Sequence, residues 1–371
     1  MTADPNRPWQ TMDDLLALAV AHRASDLHLK SNRPPLLRIN GAIETVDGPP
    51  LAPQHILEMC LGIMDERARQ HLEEAGAADF SHTLREGDRF RINVFRERGE
   101  TAVAVRRVQR FVANFDELHL PGDTMGRMCK VRHGLIVFSG TTGCGKSTSI
   151  ASCLAYINET RACHIVTVED PIEYLFVDKL AFINQREIGP DVPDYEMALR
   201  FLLREDPDVV MVGELRDKLV VEAALRAAET TRLVFTTVHG GSAPGVITRI
   251  LDWFTPEERP LVRESLASNL VAVIVQKLVP SCRPDVPRVP ATEVLLSSPT
   301  TRKTIREGDN AHLGTIIQAE NDQGMHDFTQ DLARLIREEW VDPKVAYEMA
   351  PNPEALRLAI RGIAVKKGTI R

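Results

Sequence analysis

The residues of this chain best suited to chemistry form a glycine-rich loop that ends in a lysine and two hydroxyl side chains. The loop consists of Gly140, Thr141, Thr142, Gly143, Cys144, Gly145, Lys146, Ser147 and Thr148. Its spacing is that of a Walker A loop, whose glycines allow backbone N–H groups to turn toward phosphate oxygens. Lys146 is suited to contact the β- and γ-phosphates of ATP, and the Ser147 hydroxyl is suited to Mg²⁺. The sequence therefore predicts a site for ATP and Mg²⁺.

A loop of this kind needs a strand before it and a helix after it. Residues 135–138 are apolar and predict a buried strand. The pattern then alternates, with helices predicted at 146–158, 196–204 and 217–229 and strands at 165–168, 209–212 and 233–238. Such alternation indicates a parallel sheet with right-handed crossovers, and so an α/β fold.

Polar side chains follow the other three predicted strands at the points where these end. Glu169 and Asp170 follow the second strand, Glu214 follows the third and His239 follows the fourth. Ligands of an open parallel sheet bind beyond the carboxyl ends of its strands. We therefore expect these side chains to lie near the phosphate loop.

Each of these side chains has a catalytic and a structural interpretation. Glu214 is suited to orient or deprotonate the water that attacks the γ-phosphate, or it pairs with Arg216 in a solvated loop. Glu169 and Asp170 are suited to Mg²⁺ or its waters, with Glu169 as the second candidate for the catalytic carboxylate, or they cap a helix. His239 is suited to donate a hydrogen bond to the γ-phosphate, or it is a structural histidine.

The first part of the chain predicts a separate α+β domain at 1–112. It has an amphipathic helix within the first ~25 residues and a long helix at 53–75. Asn40-Gly41 predicts a hairpin. Strands are predicted at 25–29, 36–39, 42–46, 80–84, 90–95 and 102–108. We expect an antiparallel sheet with a helix packed on it.

Eight arginines lie between positions 85 and 110. A run like this is usually a solvated face. Arg91 and Arg106, however, lie on adjacent predicted strands and carry planar guanidinium groups suited to phosphate. The alternative is that they complete the site of a neighbouring subunit as arginine fingers. On these residues alone both interpretations stay open.

The remaining segments predict a linker and a helical end. Residues 113–130 carry no clear periodicity and predict an interdomain linker before the core at 131–280. A capping box at 255–258 predicts a helix that extends to residue 278. The region 281–371 is expected to be mostly helical, with a proline-rich loop at 280–290, a strand at 293–296 and helices at 299–306, 312–319, 327–339 and 353–361.

Composition excludes several other classes of protein. The formal charge of −7 argues against broad nucleic-acid binding. The N-terminus has no apolar segment typical of a signal peptide, and the longest apolar run, at 270–275, is too short to span a bilayer. The six cysteines contain no C-x-x-C pair, so neither a zinc site nor a disulfide framework is indicated. We expect a cytoplasmic protein that associates with any membrane only through partners.

Five segments together carry a resemblance to a known family. Besides the Walker A loop these are Ala24-Ser25-Asp26-Leu27-His28, Val168-Glu169-Asp170-Pro171-Ile172-Glu173, the stretch 203–217 that contains Val212-Gly213-Glu214-Leu215-Arg216-Asp217, and Thr236-Thr237-Val238-His239. The last three of these segments are similar, in order, to that family's Asp box, Walker B segment and His box. The chain resembles the hexameric secretion and type IV pilus motor ATPases, and most closely the PilT/PilU-type retraction ATPases.

The resemblance implies a fold, an assembly and an activity. It implies a PAS-like N-terminal domain joined to a RecA-like P-loop ATPase domain, six copies in a ring, and Arg91 and Arg106 as the arginines that act in trans. It further implies a motor ATPase that powers pilus retraction and twitching motility against a platform protein of the inner membrane. Whether a second retraction ATPase shares this task is left open.

Three departures from the family pattern bear on this expectation. Gly240-Gly241 follow His239 where Thr-Asn is usual, Cys144 replaces a serine, and Asp309 stands where a lysine is common in a segment, 304–309, similar to the family's Ile-Arg motif. Two alternatives therefore remain. One is a type II secretion-like or accessory pilus motor of the same superfamily, and the other is a nucleotide-gated regulatory protein that binds ATP with little turnover.

Overall fold

The computed structural model describes residues 9–39, 41–202, 204–230 and 232–361. The chain divides into two compact units, Met1–Phe111 with Glu173–Leu175, and Val112–Ile172 with Phe176–Arg371. The segment Glu173–Leu175 belongs to the first unit because its backbone pairs with Gln109, which donates to the Glu173 carbonyl at 3.3 Å and accepts from the Leu175 N–H at 2.8 Å. Among the described helices, none has the length and apolar content needed to cross a membrane.

In its described residues, the first unit is a six-stranded antiparallel sheet with three helices. The helices are α1 (Met12–Ala21), α2 (Pro53–Ile63) and α3 (Glu66–Ala75), and the strands are β1 (Asp26–Leu29), β2 (Leu36–Ile39), β3 (Ala42–Thr45), β4 (Ala77–Thr83), β5 (Arg89–Glu97) and β6 (Glu100–Arg107). The strand order is β3-β2-β1-β6-β5-β4. The α+β character and the antiparallel sheet agree with the prediction.

The core of the first unit follows from strand alternation. Phe90, Ile92 and Val94 of β5 are buried in the core of this unit, whereas Arg91 between them is exposed. β2 and β3 pair as a hairpin through Ile39 and Ala42, while Asn40 of the predicted turn lies outside the described residues. One face of the sheet is therefore apolar and the other carries arginines.

The prediction of one helix over 53–75 is wrong. Met64 adopts an extended backbone with ψ 137° and ends α2. Asp65 then caps α3 by accepting the Ala68 N–H at 2.7 Å. Aspartate is a preferred N-cap because its carboxylate accepts from a free N–H of the first turn. The break therefore has a local cause that apolar periodicity does not reveal.

The second unit contains a seven-stranded sheet. Its strands are β7 (Gly134–Ser139), β8 (His164–Glu169), β9 (Phe182–Glu187), β10 (Val209–Val212), β11 (Leu233–Val238), β12 (Leu270–Pro280) and β13 (Arg288–Leu296). They are ordered β13-β12-β7-β11-β10-β8-β9. All pairs are parallel except β12 with β13. The predicted parallel sheet is thus present, and it has more strands than we predicted.

Eleven helices flank this sheet in the described residues. They are α4 (Gly122–Cys129), α5 (Lys146–Thr160), α6 (Tyr195–Leu202), α7 (Lys218–Glu229), α8 (Ala243–Leu251), α9 (Arg259–Asn269), α10 (Pro299–Glu307), α11 (Leu313–Ala319), α12 (Phe328–Arg337), α13 (Pro343–Met349) and α14 (Pro353–Ile360). Leu332, Leu335 and Leu356 of the C-terminal helices lie in one hydrophobic core with Val273 and Val275 of β12. The C-terminal helices therefore pack into the core of the sheet.

The predicted helix from 255 to 278 is wrong in its second half, because α9 ends at Asn269 and β12 begins at Leu270. The Glu258 side chain accepts the Thr255 N–H at 3.0 Å, which is one half of a capping box. β12 lies between two strands and is largely buried on both faces, so its residues 270–275 form a continuous apolar run. Periodicity does not distinguish such a run from a buried helix.

Two other segments also differ from the prediction. Residues 113–130, which we predicted as a linker without regular structure, contain α4 and bury Phe115, Met125 and Met128 in the second unit. We did not predict β9, an edge strand whose first residue, Phe182, is half exposed at 51%. Both segments are short and carry mixed polar and apolar residues, which weakens any periodic signal.

Candidate nucleotide-binding site

The glycine-rich loop joins the carboxyl end of β7 to the N-terminus of α5. Gly140, Gly143 and Gly145 have φ of 140°, 76° and 93°, a region that favours glycine. A Cβ at position 140 would lie 2.4 Å from the Gln276 carbonyl oxygen. Glycine is thus required both for the turn and for the close approach of β12. The resulting backbone is that of a phosphate-binding loop at a helix N-terminus.

Lys146 and Ser147 occupy the first turn of α5. The Lys146 ammonium donates to the carbonyl oxygens of Gly140 at 3.0 Å and Thr141 at 3.1 Å, so the side chain folds back over the loop. Ser147 is half-buried beside it. A hard oxygen donor here and a half-exposed carboxylate at Asp170 are the kinds of ligand that suit Mg²⁺ held with ATP. The residues present therefore fit the predicted nucleotide and metal.

His239 connects the phosphate loop to Glu214. Its Nδ1 lies 3.3 Å from the Gly140 carbonyl oxygen and its Nε2 lies 3.1 Å from Glu214 Oε1. Glu214 follows β10 and His239 follows β11, so the parallel register of these neighbouring strands places both residues at one rim. The structure thus brings together three of the predicted positions. A carboxylate and an imidazole next to the loop can orient water and sense phosphate.

Arg216 contacts two of the predicted site residues, whereas the sequence indicated only a possible pairing with Glu214. Its guanidinium donates to Asp170 Oδ2 at 3.0 Å and to Glu214 Oε2 at 3.3 Å. It also lies over the Tyr195 ring, 5.4 Å from the centroid. Partial burial opposes its charge, but the bonds to Asp170 and Glu214 outweigh this and raise the pKa of Arg216. Arg216 thus links the carboxylates that follow β8 and β10.

Glu169 and Asp170 point to different surroundings. Glu169 is the last residue of β8 and is buried, and its Oε1 accepts from Thr167 Oγ1 at 2.6 Å and from Gln185 Nε2 at 3.1 Å. Asp170 is half-exposed and pairs with Arg216. Of the two predicted carboxylates, Asp170 accepts from the same arginine as Glu214, whereas Glu169 accepts from side chains of β8 and β9.

Arg91 and Arg106 are direct cross-strand neighbours on β5 and β6 of the first unit. Arg106 donates to Asp26 Oδ1 at 2.9 Å. Burial of Asp26 opposes its ionisation, but hydrogen bonds from Ser25 and Arg106 outweigh it and lower the pKa of the Asp26 carboxyl. Arg91 is exposed, and no described residue forms an ion pair with it. Two like charges side by side are unfavourable unless another group neutralises them.

Two of the departures from the family pattern fit their surroundings. A Cβ at Gly240 would lie 3.0 Å from both Ser139 Oγ and Val246 Cγ2, so this position has room for little beyond glycine. The Cys144 side chain is buried against Gly140, and the bond from Gln276 to this residue goes to its backbone carbonyl. The local packing therefore accommodates both changes.

One family model and several known proteins match most of this chain. The model of the family described as "Type II/IV secretion system protein" matches residues 7–339. The protein named "Type IV pilus retractation ATPase PilT" of Pseudomonas aeruginosa is 37% identical over 341 residues, which cover 92% of this chain and 98% of that protein. "Type IV pilus ATPase PilU" of the same organism is 34% identical over 350 residues, which cover 94% of this chain and 91% of that protein.

A solved structure shares the fold over almost the whole chain. The crystal structure of the pilus retraction motor PilT with bound ADP superposes with a TM-score of 0.85 at 40% identity and covers 94% of this chain and 99% of that one. The α/β fold with an ATPase unit of RecA type is consistent with this match. The chain belongs to the type II/IV secretion system protein family and, within it, to the PilT-type retraction ATPases.

Proposed function

We propose that this chain is a P-loop ATPase whose hydrolysis of ATP powers type IV pilus retraction. The observation that carries the proposal is the contact series from Gly140 through His239 to Glu214. A single side chain, that of His239, therefore separates the Glu214 carboxylate from the loop that would hold the phosphates. A relative named as a retraction ATPase, matched over nearly the full length of both chains, supports the mechanical output.

The site residues divide the chemistry among them. Lys146 and the N–H groups of the loop hold the β- and γ-phosphates, and Ser147 and Asp170 would hold Mg²⁺, directly or through its waters. Mg²⁺ bound with ATP neutralises charge on the phosphates. Glu214 orients the attacking water and accepts its proton as the bond between the γ-phosphorus and the bridging oxygen breaks, which yields ADP and phosphate. His239 donates to the γ-phosphate, and Glu169 supports this edge of the sheet.

The proposed assembly is a homohexamer in which each site is completed by a neighbour. Arg91 and Arg106 then supply positive charge to the γ-phosphate of the adjacent subunit, which would explain two arginines side by side on an exposed sheet face. In this proposal residues 1–112 form the PAS-like domain, residues 131–280 the RecA-like core and residues 281–371 a mostly helical C-terminal region. The ring works in the cytoplasm against the inner-membrane platform protein of the pilus machine.

Phosphate release from ATP by the purified chain tests the ATPase proposal. We expect steady-state hydrolysis that requires Mg²⁺ and is lost in Lys146→Ala. A chain that binds ATP but releases no phosphate, alone or as a ring, would instead be a nucleotide-gated regulatory protein. Purifying Lys146→Ala and wild type by the same protocol excludes a contaminating hydrolase as the source of phosphate release.

A further inference from the structure

One buried amide interrupts the otherwise apolar part of β12. Gln276 is 3% exposed and follows a run of buried apolar residues in the strand. Burying an amide costs free energy unless both of its ends are hydrogen-bonded. A buried amide is therefore expected to have hydrogen-bond partners, and these partners indicate what Gln276 does.

Both partners of Gln276 belong to the phosphate loop and the helix that follows it. The amide N–H donates to the Cys144 carbonyl at 2.7 Å, and Oε1 accepts from Ser149 Oγ at 2.8 Å. Cys144 and Ser149 are themselves buried. Through these two hydrogen bonds, one side chain of β12 binds both the loop and the first turns of α5.

The register of the sheet explains why position 276 reaches the loop. β12 pairs in parallel with β7, and Val275 lies opposite Ser139, the last residue before the loop. Gln276 is therefore the first residue of β12 beyond the end of β7. A Cβ at Gly145 would lie 2.7 Å from Gln276 Nε2, so the amide lies directly against the loop backbone.

Fixing the Cys144 carbonyl also fixes the direction of the next N–H. In a planar trans peptide the C=O and the following N–H point to opposite sides. Because the Cys144 carbonyl is directed at Gln276, the Gly145 N–H is directed away from β12. A loop N–H that is held in advance costs less ordering entropy when it binds a phosphate oxygen.

We propose that Gln276 is a positioning residue that holds the phosphate loop in its nucleotide-binding conformation. The inference rests on the proposed nucleotide binding and adds a residue outside the Walker A loop and the strand-end carboxylates. Gln276 touches no reacting atom in this role. Its effect is on nucleotide affinity rather than on the chemical step.

ADP binding to purified variants tests the inference. In Gln276→Met, which keeps the length of the side chain but leaves the Cys144 carbonyl and Ser149 hydroxyl unpaired, we expect the Kd for ADP to rise about tenfold. Once ATP is saturating, kcat stays within about threefold of wild type, because the variant alters binding in the ground and transition states alike. Thr292→Val is the matched control. It removes a buried hydroxyl opposite Gln276 whose partners are His326 and Asp331, so the Kd for ADP should not change.

A second variant covers the case in which Gln276→Met does not fold. Ser149→Ala removes only one of the two hydrogen bonds, and we expect a rise of about threefold in the Kd for ADP. An unchanged Kd in a folded Gln276→Met, or in Ser149→Ala where the former does not fold, overturns the inference. Wild-type protein that fails to bind ADP would overturn the proposed function as well, whereas normal wild-type binding with unchanged variants overturns this inference alone.

Discussion

Replacing Glu214 by glutamine should separate nucleotide binding from hydrolysis. Glutamine has the shape of glutamate and keeps an oxygen that can accept from Arg216, which lies 3.3 Å from Glu214 Oε2. It lacks the charge and basicity needed to take a proton from water. In the part of the chain that the structure describes, the hydrogen bonds of Glu214 reach the loop through His239, so the loop itself should not change in Glu214→Gln.

The expected magnitudes follow from these contacts. Loss of a general base lowers kcat by about 10²–10⁴-fold, or about 3–5 kcal/mol of transition-state stabilisation. The ion pairs of Glu214 are partly exposed, at 27% for its side chain and 55% and 48% for those of His239 and Arg216. Such pairs contribute about 0–1 kcal/mol each, so stability and nucleotide affinity should change little.

The assay measures phosphate release and ATP binding on the same preparations. We expect turnover in Glu214→Gln to fall to near background while the Kd for ATP stays within about fivefold of wild type. Glu222→Gln, on α7, is the control because it removes the same charge from an exposed ion pair with Lys218. Turnover that stays within threefold of wild type would refute the role of Glu214, and Glu169 would be tested next.

Three further predictions concern packing, pH and assembly. Gly240→Ala places a Cβ 3.0 Å from two neighbouring side chains, so its urea midpoint should fall by the equivalent of about 1–3 kcal/mol. Gly241→Ala, whose Cβ would have nothing within 4 Å, should resemble wild type, and equal midpoints of the two variants would contradict the close packing at Gly240. Burial lowers the pKa of His326 below its unfolded value of about 6.5, so stability should fall as pH drops below about 6.5. The fall should flatten in His326→Gln, and an unchanged pH dependence of the urea midpoint in that variant would contradict this. Mixing Arg91→Ala with Lys146→Ala subunits should restore part of the ATPase activity, because some interfaces then combine an intact loop with an intact arginine; no recovery at any ratio would exclude action in trans.

The parts of the site that follow strand ends could be predicted from sequence. A strand, a glycine-rich loop and a helix fix the phosphate loop locally, and the parallel register places Glu214 and His239 at the same rim. Type and spacing were therefore sufficient to select these residues. The roles assigned to them remain predictions.

The contacts that hold the site together could not be predicted, since they join residues far apart in the chain. Gln276 lies on a strand that we predicted as a helix, because burial on both faces removes the alternation that identifies a strand. A pairing of Arg216 with Glu214 was the structural alternative to a catalytic Glu214, but the bond of Arg216 to Asp170 depends on the order of β8 and β10 in the sheet. Sequence patterns indicate which faces are apolar, but not which strands are neighbours.

Deleting the gene in its host and counting surface pili tests the central claim, that ATP hydrolysis by this chain powers retraction. We expect surplus pili and lost surface motility, restored by the wild-type gene but not by Glu214→Gln. An accessory role predicts weaker motility with pilus number little changed. Missing pili would contradict the claim and indicate an assembly motor instead.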